Sequence, residues 1–332
     1  MKADLQAGRD GKAGADESGA LQAQFLYNPT GYGFYCHAPT LIKMANGDLL
    51  AAWYAYPEEE NKGASLVYAR KRHGQSEWEP TRAVFGPSGL SAGNPVLFQL
   101  PDGQVWLYFV ILRGHFWNDA ELYGASSSDS GQLWSSPMKL WPARGTVVRH
   151  PPVVLQDGSL LLPAYDEGGR ESLLLSSRAP YTEWRESCRF AGLPIIQPAL
   201  IRIGARALAL FFRPFAEPRR IWRSFSSDDG ANWSAPVRTA LPNPLAGLAA
   251  FSFGDRIALV YNHTEEHRRY PLSIALSDLT GISWGAPWHL ETIEYEVSYP
   301  SFLCDVDGQV HGVYSYNRRM IKYVSFACGL LG

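Results

Sequence analysis

Tryptophan recurs through this chain at a nearly fixed spacing. Trp78, Trp134, Trp184, Trp233 and Trp284 are separated by 56, 50, 49 and 51 residues. A repeat of that length is one supersecondary unit used many times over. Such a unit cannot bury its own apolar faces and must stack against its neighbours. A second series runs in phase with the first: Gly47, Gly103, Gly158, Gly204, Gly254 and Gly308, five of the six beside an aspartate. Asp-Gly and related pairs signal tight hairpins, because the favoured turns need positive φ.

Each of these turns lies between two short apolar runs, as in PTLIKMANGDLLAAWY, NPVLFQLPDGQVWLYFV and YPSFLCDVDGQVHGVYSY. A third run follows in every unit: ASLVYAR, LYGASSS, SLLLSS, IWRSFSS, LSIALS and IKYVSF. The runs are aromatic and aliphatic and are bounded by turn residues, which is strand chemistry. No stretch shows a sustained helical period. Six units of three or four strands predict an all-β fold, a six-bladed β-propeller. A β-sandwich would not generate six equal repeats. The ring must close, and Gln24–Tyr27 is placed to supply the missing strand of the last blade. At 332 residues the length alone allows two domains. The repeat replaces that with a disordered tail over residues 1–22 and a single propeller over residues 23–332.

Composition excludes several functions. Lys and Arg total 30 against 32 Asp and Glu, so the near-neutral chain lacks the basic footprint of a nucleic-acid partner. No run approaches the roughly 20 apolar residues of a membrane helix, so no membrane span is expected. The first twenty residues lack the apolar stretch of a secretory signal. The chain as it stands reads as cytoplasmic, or as exported with a signal already removed. Cys36, Cys188, Cys304 and Cys328 form no CxxC pair and read as buried free thiols. Of the histidines, His263 and His267 have helix-face spacing but fall in a loop, so neither a metal nor another cofactor is expected.

Two blades carry a specific motif at the end of the third strand. One reads Ser127-x-Asp129-x-Gly131-x-x-Trp134 and the other Ser226-x-Asp228-x-Gly230-x-x-Trp233. Blade five has a worn copy, with Ser277, Gly281 and Trp284 around Leu279. A short Asp side chain accepts bonds from its own turn, glycine supplies the unusual φ and the Trp packs between strands. The motif is therefore structural. It resembles the Asp-box of sialidase-type propellers, and from about residue 34 to 328 the chain is similar to bacterial BNR-repeat, sialidase-like proteins. His37-Ala-Pro-Thr, Gly93-Asn-Pro-Val, Gln197-Pro-Ala-Leu, Leu241-Pro-Asn-Pro and Ser298-Tyr-Pro-Ser carry that likeness.

The resemblance implies an exo-glycoside hydrolase acting on an acidic, carboxylated sugar of an oligosaccharide or glycoconjugate. Sialidases hold the carboxylate with three arginines and attack with a tyrosine assisted by a glutamate, while an aspartate serves as acid/base. Guanidinium groups bind carboxylates bidentately, and sialidases are the Tyr-nucleophile exception among glycosidases. On this likeness Tyr299 matches the nucleophile, Arg213 the second arginine and Arg269 the third. Two positions depart from the pattern. His37 stands where the first arginine belongs, and Ile195 and Ile196 stand where the glutamate beside Gln197 belongs. Glu58, Glu59 and Glu60 lie roughly where sialidases carry the acid/base residue. Asp166 and Glu167, at the end of SLLLPAYDE, are candidates for the missing carboxylate.

The residues suggest a site of their own as well. Inner strands point their first residues at the propeller axis, and His37, Asn94, His150, Gln197 and Tyr299 recur near the start of the inner strand, each just before a proline. Proline as the first residue of a strand removes no ladder bond. Arg149 adjoins His150 in the phase of His37. These residues are expected to converge on the axis, with His37 and His150 catalytic and Arg149, Asn94 and Gln197 holding substrate. Two other functions fit the same residues. A polysaccharide lyase acting on a uronate would use a His or Tyr base and an Arg neutraliser. A non-catalytic glycan-binding propeller would bind without turnover.

Overall fold

The computed structural model describes residues 20–27, 31–58, 62–85 and 89–332. It contains six antiparallel sheets in chain order. The first strand, β1 (Gln22–Phe25), stands apart from its neighbours in sequence. Blade one holds β2 (Tyr35–Lys43), β3 (Leu49–Tyr56), β4 (Ser65–Lys71) and β5 (Arg82–Phe85). Blade two holds β6 (Ser91–Gln99), β7 (Val105–Leu112), β8 (Ala120–Ser127) and β9 (Met138–Lys139). Blade three is built from β10 (Thr146–Val148), β11 (Val153–Val154), β12 (Leu160–Asp166), β13 (Glu171–Ser177) and β14 (Trp184–Arg189). Blade four comprises β15 (Ile195–Arg202), β16 (Leu208–Pro214), β17 (Arg220–Ser226) and β18 (Val237–Pro242). Blade five comprises β19 (Ala249–Phe253), β20 (Arg256–Asn262), β21 (Leu272–Asp278) and β22 (Trp288–Glu291). Blade six has β23 (Val297–Cys304), β24 (Gln309–Tyr316) and β25 (Met320–Ala327), and β1 adds its outer strand by pairing Gln22 with Ser325 and Phe25 with Lys322. The expected tail over residues 1–22 lies outside the described residues up to residue 19, and Gln22 already belongs to β1.

Each blade interface has its own core. In β3 every residue is buried, and alternate side chains serve opposite neighbours. Leu50, Ala52, Tyr54 and Tyr56 pack toward blade two, while Leu49, Ala51, Trp53 and Ala55 pack toward blade six. This is the period-2 pleat with both faces covered. The in-phase tryptophans sit at these interfaces too: Trp78, Trp134, Trp184, Trp233 and Trp284 each pack on the core their blade shares with the preceding one.

The turn chemistry follows the sequence closely. Gly47, Gly103, Gly158, Gly254 and Gly308 all have positive φ, and Gly204, the one glycine without an adjacent aspartate, does not. In the two complete Asp-boxes the serine hydroxyl donates to the aspartate, 2.7 Å in Ser127–Asp129 and 2.8 Å in Ser226–Asp228. Asp129 Oδ1 also accepts the Leu133 N–H at 2.9 Å. In the worn copy Asp278 takes part of this duty, accepting the Thr280 N–H at 3.0 Å. All four cysteines are free, Cys36 buried and the other three half-buried.

Candidate active site

Four inner strands share one irregularity. Ala38, Asn94, Gln197 and Tyr299 have φ of +50°, +46°, +51° and +55°, and each directly precedes a proline. The ladder slips at the same points: between His37 and Thr40, Gly93 and Val96, Ile196 and Ala199, and Ser298 and Ser301. The prolines therefore sit inside the strands at bulges, not at the first strand residue as the sequence suggested. The bulge leaves a residue unpaired, so the missing proline N–H removes no bond. A left-handed non-glycine residue costs of order 1–3 kcal/mol, and such strain persists mainly where the surroundings fix it, often at functional sites.

The bulges turn Asn94, Gln197 and Tyr299 into one small cavity of about 140 Å³ on the axis. His37, one residue ahead of its kink, joins them, as do Glu167 and Arg213. Tyr54, Tyr165, Trp117, Phe215 and Arg318, which the sequence did not single out, complete the polar and aromatic lining. A wider basin of about 710 Å³ lies outside and shares Trp117, Glu167 and Arg318 with the inner cavity.

Tyr299 is the centre of this arrangement. Arg213 Nη1 donates to its phenolic oxygen at 3.2 Å. The Arg269 guanidinium stands 5.3 Å from the ring centre, and the His37 ring lies 4.3 Å away, centroid to centroid. Burial pushes the phenol up, but Arg213, Arg269, the Gln197 amide and Arg318 together overcome it and hold it below its ordinary value. Glu296, two residues before the Ser298-Tyr299 pair, braces the cations. Its carboxylate accepts from Arg269 Nη1 at 2.8 Å, Arg318 Nε at 3.0 Å and Ser298 Oγ at 2.8 Å. Burial opposes the Glu296 charge, yet Arg269 and Arg318 prevail and lower its pKa.

The other groups are set by burial. His37 is held well below the usual imidazole range, first by desolvation and then by Arg318, Arg269 and Arg149, so it is neutral. Neither of its ring nitrogens has a hydrogen-bond partner among the described residues. Glu167 is raised by burial, against the pull of Arg213 and Arg170. It is the one carboxylate among the described residues lining the inner cavity. Asn94 Nδ2 and Gln197 Nε2 both donate to the Tyr165 oxygen at 3.4 Å.

Three expectations are corrected. Asp166 is not in the cluster: it is the cap of its own turn, accepting the Gly168 and Gly169 N–H groups at 2.9 and 3.0 Å, and it faces Arg189 at 3.7 Å. His150 is separated from His37. Blade three's inner strand breaks between β10 and β11 at Pro151-Pro152, and the imidazole lines a different cavity, beside the downstream ends of the inner strands at Ile42, Phe98 and Leu303. Arg149 does approach Tyr299, but its Nη2 donates to the main-chain oxygens of Tyr299 and Pro300, at 2.7 and 3.2 Å, and it lines no part of the inner cavity. Glu58 borders only the outer basin, and Glu59 and Glu60 lie outside the described residues. Two missed residues had sequence signals. Glu296 is in EVSYP beside Tyr299, and Arg318 is in the YNRRM turn. Arg318 reaches the site because its main-chain oxygen accepts the Cys36 N–H at 2.8 Å, next to His37.

No group of three or more potential metal ligands occurs among the described residues, and no described helix is long and apolar enough to cross a membrane.

The blades, the Asp-boxes and the axial cavity define a sialidase-like propeller with BNR repeats. The chain belongs to the BNR repeat-like domain family, whose sequence profile matches residues 47–312. Solved structures agree on the fold. NanB sialidase from Streptococcus pneumoniae superposes with a TM-score of 0.79 at 10% identity, covering 92% of this chain and 70% of that one. A protein of unknown function from Dyadobacter fermentans gives 0.77 at 16% identity, covering 92% of this chain and 99% of its own. Trypanosoma rangeli sialidase gives 0.73 at 15% identity, covering 89% of this chain and 55% of that one. No curated protein sequence matches the chain at a significant level.

Proposed function

We propose that this protein is an exo-acting glycoside hydrolase that removes a carboxylated sugar from an acidic oligosaccharide or glycoconjugate. One observation carries the reading: Tyr299 sits on the axis with its phenol bonded to Arg213, and Arg269 and Arg318 beside it lower its pKa. The sugar carboxylate binds to Arg213, Arg269 and Arg318. Arg318 comes from blade six and supplies the third cation, since the first-arginine place holds His37. Tyr299 Oη, after losing its proton to solvent, attacks the anomeric carbon and forms a glycosyl–tyrosine bond. The bond to the leaving oxygen breaks as Glu167 donates its proton. Burial has raised Glu167, which suits a general acid. Glu167 then draws a proton from water, whose oxygen attacks the anomeric carbon and releases Tyr299. The leaving portion lies in the outer basin.

A second reading rests on His37. A neutral imidazole with no hydrogen-bond partner among the described residues, beside the cationic cluster, suits a lyase base that removes the proton next to a neutralised uronate carboxylate. The two reactions differ in product. Incubation with sialyl and uronyl glycosides should release a saturated acidic sugar, and Tyr299→Phe should lower turnover at least about 100-fold. An unsaturated, ultraviolet-absorbing product would replace the hydrolase with the lyase. Binding without any turnover would leave a lectin-like propeller.

A further inference from the structure

Arg149 is a charge with no counter-charge. The residue is 3% exposed, and no carboxylate pairs with it among the described residues. Its Nε has no hydrogen-bond partner among the described residues. Its Nη2 spends its donors on two consecutive carbonyls, Tyr299 O and Pro300 O, and its guanidinium carbon lies 5.5 Å from the centre of the Tyr299 ring. An isolated buried cation is among the more costly groups an interior can hold. A methionine would fill the same space without that cost. The two carbonyls belong to the bulge whose φ of +55° makes Tyr299 a strained residue.

We propose that Arg149 is a positioning residue that pins the strained Tyr299–Pro300 backbone from across the axis and sets a fixed positive charge behind the Tyr299 ring. The proposal rests on the reading of Tyr299 as the reacting group. Arg149 does not touch the substrate; it acts through the tyrosine. Its location explains how it can do both tasks. It leaves blade three where the inner strand breaks after β10, so its side chain crosses to blade six instead of packing within its own sheet. Its own pKa is pushed down to about 10 by burial, against the pull of three phenols, Tyr299, Tyr165 and Tyr54. The charged and titratable groups around Tyr299 are then His37 from β2, Tyr54 from β3, Tyr165 from β12, Glu167 just after β12, Arg213 from β16, Arg269 ahead of β21, Glu296 ahead of β23, Arg318 after β24, and Arg149 behind.

The test needs no substrate. Tyrosine ionisation is followed by ultraviolet absorbance against pH, and the difference between the protein and its Tyr299→Phe variant isolates the Tyr299 step. A unit charge 5.5 Å away at an effective dielectric near 20 moves a pKa by about two units. Arg149→Met should therefore raise the Tyr299 step by about that much. Arg149→Lys keeps the charge on a shorter side chain whose donors are set back from the two carbonyls, so it should leave the step within about half a unit while amide exchange at Tyr299 and Ser301 speeds up. An unmoved step in Arg149→Met would overturn the proposal. If Arg149→Met does not fold, Arg149→Lys decides: a step raised by more than about one unit, or unchanged exchange at the bulge, refutes it. The titration is read without turnover, so failure of the glycosidase reading and failure of this one are separate results.

Discussion

Closure of the ring depends on a short strand from the other end of the chain, and Tyr27 is the side chain that anchors it. Tyr27 is 2% exposed and packs edge-on against Trp53 of blade one, with ring centres 5.7 Å apart. It shares the blade six–blade one core with Val313, Ile321 and Tyr323. Its hydroxyl donates to the Gly33 carbonyl at 2.8 Å. Truncating a buried aromatic to alanine costs about 3–5 kcal/mol, and the lost hydrogen bond is worth about 1 kcal/mol of it. Tyr27→Ala should therefore lose about 4 kcal/mol, a large share of the roughly 5–15 kcal/mol that holds a typical protein folded. Tyr27→Phe should lose only about 1 kcal/mol. Equilibrium urea unfolding, read by tryptophan fluorescence and circular dichroism, measures both. With a slope of about 3 kcal/mol per molar, Tyr27→Ala should bring the midpoint down by about 1.3 M. A midpoint within about 0.2 M of the parent protein would refute the claim that β1 closes the propeller.

Three further outcomes are expected. A methyl at Gly247 would lie 3.2 and 3.3 Å from Tyr299 Cδ1 and Cγ, inside the usual contact of about 3.5–4.0 Å. Gly247→Ala should displace the ring by tenths of an ångström and lower kcat about 3- to 10-fold at unchanged urea midpoint; an unchanged kcat would contradict the placement of Tyr299 as reacting group. Acid should destabilise the protein through His37 and His150, both held low by burial, His150 at about 3. Below about pH 6.5 the unfolded chain binds protons that the folded state refuses, so their contribution is intact above that pH and fades as pH falls, by up to about 1.4 kcal/mol per pH unit for each. The urea midpoint should slope accordingly between pH 6.5 and 4, and less so in His150→Phe; a flat profile would argue against buried neutral imidazoles. Asp228→Ala should lower the melting temperature by opening the second Asp-box while leaving ligand affinity at the axis unchanged, and a loss of affinity would show that the box is more than structural.

The fold was legible because its signals are local. A turn at Asp102-Gly103, a pleated run such as VWLYFVIL and the spacing of the tryptophans each report on a few neighbouring residues, and repetition turns them into a ring. The site was legible only in part. Asn94, Gln197 and Tyr299 stood out because a polar residue before proline recurs at one phase, and the structure shows the bulge behind that pattern. The same pattern misled at His150, where two consecutive prolines break the strand and the side chain leaves by another route. Asp166 and Glu167 are adjacent in sequence, yet the strand end sends one to its own turn and the other into the cavity. Arg318 and Glu296 were missed because their roles depend on distant partners: Arg318 lies beside Cys36 across the ring closure, and Glu296 matters through Arg269. Side-chain direction off a bulge and contacts across the axis are non-local, and no spacing in the chain encodes them.

In the proposed mechanism Arg213, Arg269 and Arg318 form a carboxylate clamp around Tyr299. Calorimetric titration with acidic monosaccharides, N-acetylneuraminate and glucuronate among them, and with their neutral methyl esters tests it directly. The clamp predicts that at least one free acid binds about tenfold or more tighter than its ester, and that Arg213→Met abolishes the preference. Equal affinity for acid and ester across the panel, or a preference untouched in Arg213→Met, would contradict it.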